Sequence, residues 1–119
     1  MTGRLPQDPS GDIFGGWTVS QMDLAGATFA AKHARGRVAT VSIDAMEFLR
    51  PIAIGDEVSC YCSLMKAGET SLTVRIETWA SARTGAGEPE KVTEGTFTFV
   101  AIDENGKPRR IESGRGGKD

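Results

Sequence analysis

The stretch "GDIFGGWTVSQMDLAGATFAAKHARG", Gly11–Gly36, decides how the rest of the chain folds. From Ile13 to Ala31 its only ionisable side chain is Asp23. The run predicts a helix that starts near Gly15 and ends at Arg35. Gly36 stands where a C-terminal cap belongs, and Lys32 and Arg35 complement the negative end of the helix dipole. Such a helix is about 30 Å long. Its second half, "AGATFAA", is rich in Ala and Gly, which allow another backbone surface to approach closely. A helix this apolar around its circumference is expected to be buried on more than one side. Thr18, Ser20, Gln21, Asp23 and Thr28 interrupt it too often for a transmembrane span.

After Gly36 the hydrophobic period changes to two. In "RVATVSIDAMEFLRP" the apolar set is Ala39, Val41, Ile43 and Ala45, and it then shifts phase to Met46 and Phe48. A shift within one extended run predicts a bulge or a sharp bend. Pro51 ends the strand and "IAIGD" is a turn. "EVSCYCSLM" places Val58, Cys60, Cys62 and Leu64 on one face. "KAGETS" is a hairpin turn, and "LTVRIETWA" points Leu72, Val74 and Ile76 inward. "RTGAGEPE" is a loop, "KVTEGTFTFVAI" the last strand and "DENGK" its closing turn. The connections are too short for parallel crossovers. The expected fold class is therefore α+β, one long central helix wrapped by a curved antiparallel sheet. The chain's 119 residues suffice for one domain over 1–112, with an irregular arm over 1–10 and a disordered tail over 113–119.

Composition narrows the function. The chain is 39% hydrophobic and 25% charged, with a formal net charge of -2. No bulk positive field draws it to nucleic acid or to an anionic membrane. The first residues lack the pattern of a secretory signal, so a cytoplasmic location is expected. Cys60 and Cys62 are the only cysteines, and they read as two small buried side chains in a reducing compartment. With the single His33 they are too few for a zinc site, so no metal is expected.

The helix carries the candidate chemistry. Gly15 and Gly16 lie at its predicted start, where unpaired N–H groups and the dipole favour negative charge. Without side chains, another molecule's oxygen can come close, which suggests an oxyanion site. The plainer reading is that the glycines only make the turn into the helix. Asp23 is a carboxylate among Met22, Leu24, Ala25 and Gly26. A buried carboxylate is costly unless it is paired or does chemistry, although an exposed strip or a structural hydrogen bond would also account for it. Gly15 and Asp23 are eight residues apart, about 12 Å along the axis. One reacting carbonyl cannot touch both. If they form one site, they come from two chains with antiparallel helices, which predicts a symmetric dimer with two sites across its interface.

With these residues in view, "GDIFGGWTVSQMD", "GRVATVSIDAMEFLRPIAIGDEV", "KAGETS" and "VAIDENGKPR" together resemble the YciA-type acyl-CoA thioesterases of the hotdog fold. The resemblance runs from Gly11 to about Ile111. It implies hydrolysis of acyl-CoA to coenzyme A and a carboxylic acid, by a dimer that assembles further into a hexamer or tetramer. Coenzyme A is part of substrate and product, and no cofactor is implied. The family's catalytic aspartate falls on Asp23, as general base or as nucleophile. The N–H that holds the thioester oxygen falls on Gly15 or Gly16. Asp8 stands where the family usually carries Asn, and an ionised carboxylate cannot donate that amide's hydrogen bond. The chain is short at its start, so the family's first strand is expected to be missing or replaced.

The coenzyme is anionic. Arg50, Lys66 and Arg37 are the candidate phosphate contacts, with Arg35 near the helix end; any one of them also reads as a solvated surface cation. Thr70 and Ser71 are placed at the entrance, and the strand Val38–Ile43 could offer backbone groups to the pantetheine amides. Trp17 is a core anchor or an acyl-pocket wall, an ambiguity that Met22 and Phe29 share. His33 reads as surface or packing, and Asp44 and Glu47 as strand-surface charges. Two other functions stay open. One is a hotdog module that binds acyl-CoA without turnover, which Asp8 favours. The other is a dehydratase or hydratase, for which His33 is badly placed.

Overall fold

The computed structural model describes residues 15–82 and 87–111. Asp8, the arm over 1–10, any strand before Gly11 and the tail over 113–119 lie outside the described residues. The helix α1 (Gly15–Ala34) comes first, followed by β1 (Val38–Phe48), β2 (Glu57–Ala67), β3 (Ser71–Ser81) and β4 (Glu90–Ala101). The sheet order is β1-β4-β3-β2, and every neighbour pair is antiparallel. The helix lies on one face of this sheet, as the switch of period after Gly36 predicts.

The core forms where the helix meets the two central strands. Met22, Ala30 and Ala34 pack on Leu72, Val74 and Ile76 of β3 and on Phe97, Phe99 and Ala101 of β4. Gly26 sets the closeness of this contact. A Cβ there would lie 2.5 Å from Ile76 Cδ1 and 2.8 Å from Phe99 Cζ, so only glycine lets the helix rest on the sheet at that turn. The buried helix residues are Thr18, Met22, Gly26, Ala30 and Ala34, one every fourth position. The expectation of burial on more than one side is not met within a single chain. One sheet covers one stripe, and Leu24 on another face stays exposed.

The helix ends one residue earlier than expected, and its cap is built differently. Arg35, not Gly36, takes the left-handed conformation, with φ 57°. The Gly36 N–H donates to the Ala31 carbonyl at 3.1 Å, closing the last turn. Gly36 leaves room for a neighbouring side chain. A Cβ there would lie 2.5 Å from Arg109 Nη2. That nitrogen donates to the Ala34 carbonyl at 2.8 Å, while Arg109 Nε donates to Ile102 O at 3.1 Å. A cation from beyond β4 thus satisfies an orphan carbonyl at the helix end.

Strand β1 carries two register shifts. The one between Asp44 and Glu47 is the expected bulge, with Ala45 at φ 52°. The other, between Thr40 and Ser42, gives no sign in the apolar pattern. Each bulge reverses which residues face inward. Val38, Thr40, Ile43 and Phe48 pair with Ala101, Phe99, Phe97 and Thr93, all buried on the helix side. The set Ala39, Val41, Ile43, Ala45 therefore does not share one face. Met46 also turns inward, its Cε lying 2.8 Å from where a Gly95 Cβ would be. Strand β2 follows the expectation: Val58, Cys60, Cys62 and Leu64 pair with Ala80, Thr78, Ile76 and Val74 on the helix side. Leu72, Val74 and Ile76 are buried, as the alternation requires. Beyond β4, Asp103 N donates to Lys107 O at 2.8 Å across the "DENGK" turn. No described helix is long and apolar enough to cross a membrane.

Candidate active site

The two glycines at the helix start differ in what surrounds them. A Cβ on Gly15 would come within 3.0 Å of Phe48 Cε1, so this glycine makes room for the end of β1. Among the described residues a Cβ on Gly16 would meet nothing within 4 Å. No described side chain crowds Gly16, which stands at the positive end of the helix dipole. Beside them lies an open cleft of about 400 Å³, lined by Gly15, Thr18, Phe48, Leu49, Arg50 and Thr93 among others. Thr18 and Thr93 are buried there. On its rim, Arg50 Nη1 lies 2.6 Å from Glu90 Oε1, with both side chains half exposed.

Asp23 sits two turns further along, next to the buried stripe and half buried itself. Its neighbour Met22 is wholly buried and its successor Leu24 is exposed, so Asp23 stands at the seam between helix and sheet. There the Thr40 hydroxyl donates to Asp23 Oδ1 at 2.6 Å. The close contact at Gly26, less than one turn away, holds the helix against the sheet where this bond forms. Among the described residues no ion pair reaches Asp23. A neutral donor fixes one oxygen and no cation neutralises the charge. Such a carboxylate can accept a proton or attack an electrophile. The sequence reading missed Thr40. Thr40 shares the inward face of Val38 by ordinary alternation, and the bulge at Val41 then brings Ile43 onto that face; the apolar alternation Ala39, Val41, Ile43 places Thr40 on the other side.

The other expected contacts do not gather around Asp23 within one chain. Arg37 precedes β1 at its Val38 end, where the Arg37 carbonyl accepts from Ile102 N at 3.0 Å. Thr70 lies at the same end, its carbonyl accepting from Ala101 N at 2.8 Å, and Lys66 and Ser71 flank the same hairpin. Arg50 and Gly15 stand at the Phe48 end. Strand β1 has 11 residues, so these two groups are separated by roughly 33 Å. Asp23 is between them.

Trp17 is half buried and packs on Ile52, Ala80 and Val92 with Val58. It also lines a groove of about 380 Å³ between helix and β2, with Gln21, Leu24, Ala25, Thr28 and Cys60. It is both core anchor and groove wall. Met22, fully buried, is core and not wall. Phe29 lies against the exposed His33 ring at a centroid distance of 4.5 Å, and His33 Nδ1 is 3.1 Å from Phe29 O. Both cysteines are free thiols. Burial, and then the neighbouring Cys60, push the Cys62 thiol above its ordinary pKa, so Cys62 is a poor nucleophile. Among the described residues no three His, Cys, Asp or Glu side chains gather as a metal site.

Comparison with known proteins gives this geometry a context. A model of the thioesterase superfamily matches residues 10–86. The chain is 49% identical over 111 residues to the acyl-CoA thioester hydrolase YciA of Salmonella typhimurium, covering 90% of this chain and 84% of that one. Among solved structures, the hexameric thioesterase y2039 from Yersinia pestis is 47% identical, with a TM-score of 0.86 over 90% of this chain and 87% of that one. A hexameric hotdog fold thioesterase of Campylobacter jejuni is 39% identical, with a TM-score of 0.82 over 88% and 80%. A family model covering more than half of the chain, close relatives over most of its length and a shared architecture agree: this chain belongs to the thioesterase superfamily and has the hotdog fold.

Proposed function

We propose that this protein is an acyl-CoA thioesterase that hydrolyses acyl-CoA to coenzyme A and a carboxylic acid. The observation that carries the reading is the carboxylate of Asp23, held by the Thr40 hydroxyl at 2.6 Å and free of any cationic partner among the described residues. Asp23 takes a proton from water as water attacks the thioester carbon, or attacks that carbon itself and forms an anhydride that water then opens. The C–S bond breaks, and the thiolate leaves without a strong acid because it is a good leaving group. The N–H groups at Gly15 and Gly16 receive the developing oxyanion. The two glycines are about 12 Å from Asp23 on their own helix, so the oxyanion donors come from the partner in a dimer with antiparallel helices. Arg50, Arg37 and Lys66 hold the coenzyme phosphates, with Thr70 and Ser71 near the entrance. The groove beside Trp17 takes the acyl chain.

The reaction requires no cofactor, since coenzyme A enters and leaves with the substrate. Hexameric relatives support assembly of three such dimers. Two free thiols support a reducing, cytoplasmic setting. Thiol release from acyl-CoA of graded chain length tests the reading. Asp23→Ala is expected to lower turnover by about 10²- to 10⁴-fold, and undiminished turnover would overturn it. Asp8→Asn, measured beside it, reports what the departure from the family's amide does. If the parent binds acyl-CoA yet releases no thiol from any chain length, the protein is a binding module.

A further inference from the structure

We propose that the outer face of β2 and β3 around Tyr61 and Trp79 is the surface through which dimers of this chain join one another. The inference rests on the reading above that the chain assembles beyond a dimer. Any closed assembly of six copies, whether a ring or a trimer of dimers, needs two different contact surfaces on each copy. Most of the exposed large apolar side chains fall into two groups, the others being Leu49 and Ile54 between β1 and β2 and Leu64 on the helix side of β2. Leu24, Val41, Ile43 and Phe48 lie along α1 and β1, and Tyr61 and Met65 lie on β2. Strands β1 and β2 are the opposite edges of the sheet, so one contact cannot cover both groups. In the first group Leu24 and Val41 adjoin Asp23 and its partner Thr40, and Phe48 lies against Gly15; this group belongs to the pairing that completes the active site. The second is left for a different contact.

The local chemistry at Tyr61 suits a copy of the same chain. Tyr61 is 60% exposed and Met65 57% exposed. Tyr61 pairs with Glu77 on the face away from the helix. With Glu77, Trp79, Glu88 and Pro89 it lines a shallow concavity of about 490 Å³. The Trp79 indole N–H already donates to Glu77 Oε1 at 3.1 Å, so its ring can be covered without stranding a donor. Glu77 is also paired with Lys91 at 3.5 Å, and Lys91 with Glu94 at 2.8 Å. Charges balanced within the chain do not repel an approaching copy. An indole whose donor is satisfied, an exposed tyrosine and a paired-ion border are the makings of an interface core and its rim.

Tyr61→Glu and Met65→Glu, made separately and together, test the assignment by mass in solution, read by light scattering after gel filtration. The parent is expected at six chains. The variants are expected at two chains, with acyl-CoA thiol release retained because pairing through α1 is intact. Variants that remain at six chains overturn the assignment, and so do variants that fall to one chain. Far-ultraviolet circular dichroism separates dissociation from unfolding, and two well-exposed positions make a shared folding failure easy to recognise. A parent that is itself a dimer overturns the hexamer reading instead, and the two failures are told apart by the parent's mass alone.

Discussion

At the scale of one residue, Thr40 is where the structure adds most to the sequence. Its hydroxyl donates to Asp23 Oδ1, which on the proposed mechanism makes it a positioning group. Hydrogen bonds to charged groups contribute roughly 1.5–3 kcal/mol, and here that energy fixes the carboxylate's orientation. Thr40→Val keeps the shape of the side chain and removes the donor. The expected result is a kcat lower by about 10- to 100-fold with little change in KM. Thr40→Ser is expected to restore most of the loss. A merely structural role would shift melting temperature in both variants and leave kcat per folded molecule unchanged. Asp23 as a candidate was legible from its isolation in an apolar run. Thr40 was not, because the apolar alternation Ala39, Val41, Ile43 hides the bulge after Thr40, and so assigns the inward face to Ala39 and Val41 instead of Val38 and Thr40.

The same contrast appears at the scale of elements. The helix and the central strands were legible because burial on a known face forces a period. Leu72, Val74, Ile76, Phe97 and Phe99 have only one place to go. Strand β1 is an edge, where both faces are partly exposed in one chain, so its apolar residues do not mark a single face. The helix cap at Arg35 was hidden for another reason: Arg109, 75 residues past Ala34, supplies the donor. The outer face of β3 and β4 offers an element-scale test. The Glu94 carboxyl is held down from 4.5 to about 2, first by the Lys91 hydrogen bond and then by Arg75 and Glu47, against the opposing effect of burial. A depressed carboxyl pKa stabilises the fold above its unfolded value and loses that stabilisation as pH falls through the folded value. The melting temperature of the parent is therefore expected to fall between pH 4.5 and about 2. Glu94→Gln is expected to start lower at pH 7 and to show a shallower fall across that window. Identical pH profiles would mean that this network does not couple folding to protons.

For the whole molecule, the proposed mechanism gives one chain both halves of the chemistry but no way to bring them together. Gly16, crowded by no described side chain, and Asp23, seated on Thr40, are fixed on one rigid helix. The exposed Leu24 beside Asp23 and the exposed Val41 and Ile43 on β1 leave an apolar seam that a second copy would cover. If two copies meet there with antiparallel helices, each site takes Asp23 from one chain and the glycine N–H groups from the other. This arrangement has a quantitative consequence that a site within one chain lacks. Asp23→Ala removes the carboxylate, and Gly16→Val adds a branched side chain beside the N–H groups, at a position where an added Cβ meets no described neighbour within 4 Å. Each variant alone is expected to be nearly inactive. In a co-expressed equal mixture about half of the dimers are mixed, and one of the two sites in each mixed dimer carries an intact aspartate opposite intact glycines. Thiol release is then expected to recover to about one quarter of the parent rate. A site built within one chain predicts no recovery at any ratio, because every chain in the mixture lacks one half. The fraction recovered should also follow the product of the two variants' mole fractions, peaking at equal amounts, which separates shared sites from contamination by parent protein.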